Sequence, residues 1–159
     1  MSNRQEEIIT ALKTGADDTV ALYESLTPAQ LATPVYTEEV QWSVRRMLAH
    51  LVTIEKTMHW LFRNILEGGP GSPPDFDVDR FNRSQPQKLD HLSLEELLEQ
   101  FCGVREETIA IVAGMADADF DREGRHVFHG QGTLERFIRW AYEHARLHED
   151  DVRRAMNAP

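Results

Sequence analysis

A chain of 159 residues, 41% hydrophobic and 28% charged, carries enough apolar material for one packed domain and too little disorder-promoting sequence to stay unfolded. Its net charge of −10 repels phosphate backbones and anionic bilayers, so neither nucleic acid nor membrane is expected as a partner. The opening MSNRQEEII has no apolar signal core, no run approaches the roughly 18 apolar residues of a membrane span, and Cys102 is the lone cysteine; these features predict a cytoplasmic protein without an intrachain disulfide.

Taken in order, Arg4 to Leu26 reads as helix one, with Ile8, Leu12, Ala16, Val20 and Tyr23 recurring every three or four positions. Thr27-Pro28 stops it, a short turn follows over Ala29 to Ala32, and Thr33 to Gln41 is expected to be a loop. Helix two starts at Ser43 as N-cap, with Trp42 just outside, and keeps one apolar face from Val44 to Leu66. His50 lies on the flank of that face, whereas His59 lies on the far side and is expected in solvent.

Gly68 to Leu92 is a long connection rich in Gly, Pro and Asp, with Asp79 to Gln85 able to supply a short helix. Its Asp75, Asp77 and Asp79 mimic the start of a calcium loop. The required glycine is replaced by Arg80 and the required glutamate by Pro86, which excludes that site. Ser93-Leu94-Glu95-Glu96 opens helix three with a capping box; it runs to Met115, is loosened by Gly103, and places Cys102 in its apolar sector as a packing residue. Ala116 to Gly132 is a second loop holding Arg125, His126 and His129, and Thr133 caps helix four, which reaches about Asn157. No strand stands out. The predicted architecture is all-α: a single domain over residues 1–159, a four-helix bundle with a long connection between helices two and three.

In helix four, His144 and His148 stand four residues apart and therefore stack on one face, about 6 Å from each other. Leu134, Phe137, Ile138, Ala141, Ala145 and Val152 set the buried stripe, with His148 inside it and His144 on its edge. Two inward imidazoles need partners: either one divalent cation, or carbonyl and carboxylate oxygens. A mononuclear metal site needs a third ligand. His50 is the best candidate, with His126 and His129 as competitors, and zinc, nickel and iron all suit such donors. A carboxylate-bridged di-iron site is not expected, because the only Glu-x-x-His spacing, Glu123 to His126, lies in a glycine-flanked loop. The HARLH run also lacks the glutamate of zinc proteases, and no serine triad, phosphate loop or dinucleotide fingerprint occurs.

Together, WSVRRMLAHL (Trp42 to Leu51), TLERFIRWAYEHARLHEDDV (Thr133 to Val152) and the preceding FDREGRHVFHGQG resemble the signature segments of the DinB/YfiT-like metalloprotein superfamily, in order and across essentially the whole chain. The resemblance implies a four-helix bundle, often dimeric, binding one divalent metal through three histidines. Matched position by position, these are His50, His144 and His148. It further implies a thiol-dependent S-transferase acting on a small electrophilic substrate, the metal holding a low-molecular-weight thiol as thiolate. A hydrolase using metal-bound water and a non-enzymatic metal-binding protein are the alternatives. Arg125 is a weak candidate for a carboxylate contact, and Trp60 and His59, on the outer face of helix two, are candidates for a homodimer interface.

Overall fold

The computed structural model describes residues 1–37 and 41–157, so part of the expected Thr33–Gln41 loop lies outside the described residues. Four long helices carry the fold: α1 (Asn3–Glu24), α3 (Val44–Leu66), α5 (Leu94–Ala113) and α6 (Leu134–Asn157). Short α2 (Pro28–Leu31) and α4 (Val78–Ser84) lie in the connections. Among the described residues, no helix is long and apolar enough to cross a membrane.

The helix starts are set by their caps. Ser43 Oγ accepts from Arg46 N at 3.2 Å, Thr133 Oγ1 accepts from Arg136 N at 3.3 Å, and Ser93 closes a reciprocal box with Glu96. Helix one begins earlier than the periodicity indicated, because Ser2 forms a second such box with Gln5. The aspartate-rich stretch forms a cap, with Asp77 Oδ1 accepting from Arg80 N at 2.9 Å to start α4.

Polar contacts fix the directions of the helices. Gln5 near the start of α1 donates to the Val112 and Met115 carbonyls at the end of α5, so those two run antiparallel. Arg4 meets Glu135, Arg139 meets Glu7, and Thr19 meets Glu149, so α1 and α6 run parallel. Glu55 pairs with Arg105 and Arg63 with Glu107, while Arg45 reaches the Leu89 carbonyl just before α5; α3 and α5 are therefore also parallel. The result is an up–down–down–up bundle. Parallel neighbours explain the long connection: a helix of 23 residues is about 34 Å long, and the chain must travel back that distance before α5 can begin.

Two short antiparallel hairpins occur where loops were expected. Strand β1 (Pro34–Tyr36) pairs with β2 (Trp42–Ser43), and β3 (Glu123–His126) pairs with β4 (Gly130–Thr133). With two to four residues each and three glycines in the second hairpin, neither has room for a readable apolar alternation. The glycines let this hairpin lie close to the bundle: a Cβ on Gly124 would sit 2.5 Å from Ile65, and Gly71, at φ 89°, brings the connection against the Arg125 backbone.

The apolar core falls into two clusters, one around Phe62, Phe120 and Phe137, the other around Tyr23, Leu48 and Phe101. A buried polar layer accompanies them. Arg105, 1% exposed, binds Glu55 with Nε and Nη2 at 2.7 and 3.0 Å and donates to the Leu12 carbonyl at 3.0 Å. Thr108 donates to Glu55 at 2.7 Å, and His59 Nε2 meets Thr108 at 2.8 Å. His59, expected in solvent, is thus only 2% exposed. The reason is that α3 packs against α5 as well as α6, so its second buried flank is lined with polar side chains that satisfy one another. His59 is therefore not available to an outer interface, whereas neighbouring Trp60 is 53% exposed.

Candidate metal centre

His50 sits in the second turn of α3, and His144 and His148 occupy successive turns of antiparallel α6. The bundle brings all three imidazoles together. His144 Nε2 lies 3.4 Å from His50 Nε2 and 2.7 Å from His148 Nε2, and the three donor atoms fall within 4.8 Å of one another. Each ring is nearly perpendicular to the other two, with interplanar angles of 77° to 87°.

Burial depresses the basicity of all three rings. It lowers the pKa of His50 to about 3, with the neighbouring His148 adding to the effect. His148 falls to about 4 through burial, offset in part by Asp151, and His144 is pushed well below its ordinary value by burial and then by the other two rings. Neutral imidazoles each offer one lone pair. A single shared proton can join His144 to one neighbour but leaves the third nitrogen facing another nitrogen. A divalent cation accepts all three lone pairs, so the donor set fits a metal ion.

The surroundings orient the rings. The Tyr36 hydroxyl donates to the Asp151 carboxylate, and its oxygen lies 3.2 Å from His148 Nδ1. With the phenolic proton committed to Asp151, the remaining contact requires Nδ1–H on His148, which leaves its Nε2 lone pair free. Trp42 lies over His50 with ring centroids 4.5 Å apart, and Trp140 stacks on His144 at 4.1 Å and 20°. His50 Nδ1 is buried without a partner among the described residues.

His126 and His129 do not join the three. Both lie on or beside the β3–β4 hairpin, with Trp140 packed between His126 and His144. Arg125 alternates to the opposite side of β3 from His126 and is exposed, away from the cluster. Cys102 is half-buried and packs beside the second core cluster, and burial raises its pKa. The sequence reading missed Tyr36, Trp42 and Asp151 as parts of the site. Asp151, three residues after His148 on the same helix face, was the one with a spacing signal.

A family model described as the DinB superfamily matches residues 11–149. The uncharacterized protein YuaE of Bacillus subtilis (strain 168) is 26% identical over 118 residues, which cover 68% of this chain and 73% of that protein. The solved structure of YfiT from Bacillus subtilis, described as a probable metal-dependent hydrolase with an unusual four-helix bundle topology, matches with a TM-score of 0.78. The match covers 98% of this chain and 87% of that one at 19% identity, so it bears on the fold alone.

Proposed function

This chain belongs to the DinB superfamily, and we propose that it is a divalent-metal enzyme in which His50, His144 and His148 hold the ion and a small exogenous nucleophile completes the site. The observation that carries this reading is the convergence of three neutral Nε2 atoms from two antiparallel helices. Three protein ligands leave a coordination position open, the pattern of a catalytic rather than a structural centre. When bound, the cation lowers the pKa of a thiol or water that joins it. The chain's own residues do the rest: Tyr36 and Asp151 hold His148 in one tautomer, and Trp42 and Trp140 restrict water around His50 and His144.

The nucleophile in the first reading is a low-molecular-weight thiol, which makes the protein an S-transferase acting on an electrophilic small molecule. No cysteine of the chain competes for that role, since Cys102 lines a groove between α1 and α5 and is not one of the three clustered donors. The second reading is hydrolysis with water as nucleophile, and the fold shared with YfiT, itself described as a probable metal-dependent hydrolase, favours it. Zinc, nickel and iron are the candidate ions. Metal-loaded protein should consume thiol with a halogenated arene in the first case, or cleave esters or amides without thiol in the second. Metal bound stoichiometrically with neither turnover would reject both.

Replacing Tyr36 with Phe is expected to weaken metal affinity by about 10- to 100-fold, because the ring of His148 loses its orienting oxygen. Competition with a chromogenic chelator measures this, and unchanged affinity would remove Tyr36 from the site.

A further inference from the structure

Below the three histidines a small cavity of about 50 Å³ lies between α3, the connection after it and the β3–β4 hairpin. Its walls are largely carbon, from Ile54, Met58, Leu61, Pro73, Phe76 and Val127. Ile54 stands one turn along α3 from His50, and the Trp140 ring touches His144 on one side and His126, at 4.8 Å, on the other. The cavity therefore adjoins the proposed metal centre through a single aromatic ring.

His126 is one of the polar side chains that border this cavity. His126 is 2% exposed, and its Nδ1 accepts the backbone N–H of Phe128 at 3.1 Å and of His129 at 3.4 Å. A nitrogen that accepts two amide protons carries the lone pair, so the ring proton must reside on Nε2. That N–H donates to no group of the protein among the described residues and is left for a molecule in the cavity. We infer that the cavity is the binding site for a short-chain acyl compound, whose alkyl group fills the apolar walls and whose carbonyl oxygen accepts from His126 Nε2–H.

Size and charge both fit that ligand class. A cavity of roughly 150 Å³ holds a benzene ring, so one of about 50 Å³ takes a group of about two or three carbons. Burial holds the His126 pKa down at about 4, with His129 and Arg136 acting in the same direction. The ring is thus a neutral donor near pH 7, suited to a carbonyl and not to an anion. The inference rests on the proposed metal centre for the reaction but not for binding.

Isobutyramide, which joins an isopropyl group to an amide carbonyl, is the probe, titrated by NMR into ¹⁵N-histidine-labelled protein with and without metal. The expected result is saturable binding, with benzamide, too large, and isobutylamine, lacking the acceptor, each at least tenfold weaker. The ¹⁵N couplings should show His126 as the Nε2–H tautomer before any ligand is added. His126→Phe should lose at least tenfold in affinity, and His126→Gln, which keeps an N–H near the same place, should recover part of it. An Nδ1–H tautomer, or isobutyramide binding no better than the two controls, would overturn the assignment. Because metal content is measured on the same samples, cavity binding without stoichiometric metal would overturn only the ligand triad, and the converse only the cavity.

Discussion

Replacing His148 with Ala is expected to reduce bound divalent metal from about one equivalent per chain to a trace. The estimate follows from the donor set. A four-ligand structural zinc site contributes about 10–16 kcal/mol, so one imidazole accounts for about 3 kcal/mol, or at least about 100-fold in affinity. The variant should keep its helical circular dichroism, because His148 is only partly buried. His129→Ala, altering a histidine outside the cluster, should retain full metal and serves as the control. Protein prepared without immobilised nickel, assayed by plasma emission, gives the answer. Stoichiometric metal in the His148 variant would dismantle the assignment of all three ligands.

Arg105→Met is expected to lower unfolding free energy by about 3–5 kcal/mol, the largest stability effect of any single change here. The Glu55 side chain would then stay buried with only Thr108 donating to it, and the carbonyl of Leu12 would lose its side-chain donor. The companion variant carrying both Arg105→Met and Glu55→Leu should recover most of the loss, since two matched apolar side chains leave no buried charge. Urea denaturation followed by circular dichroism measures both. A single variant less than about 1 kcal/mol weaker than the parent would show that water reaches this layer.

How legible the molecule was depends on how local each signal is. Caps at Ser43, Ser93 and Thr133 lie within one turn of the helices they start, and all three helices begin where those residues direct. The face shared by His144 and His148 is likewise a property of one helix. His59 was misread because a single helical wheel shows one apolar face, whereas α3 has two packed flanks and fills the second with His59 and Glu55. The need for a long connection was visible in its length, but its cause, two parallel neighbours, depends on contacts such as Glu55 to Arg105 that no local pattern encodes. Tyr36 and Trp42 escaped notice for a related reason. They stand on strands of two or three residues, where neighbouring sequence carries no period, and they reach the histidines only through the tertiary fold.

The distance in sequence between His50 and His144 is 94 residues, with two connections and the whole of α5 between them. During synthesis the first of these donors leaves the ribosome long before the other two, and by itself it can hold a cation only weakly. If the proposed triad holds the ion, capture must wait until α6 has docked against α3, and the ion would then mark finished assembly. A fragment severed anywhere between these helices would carry one donor or two, never the full set.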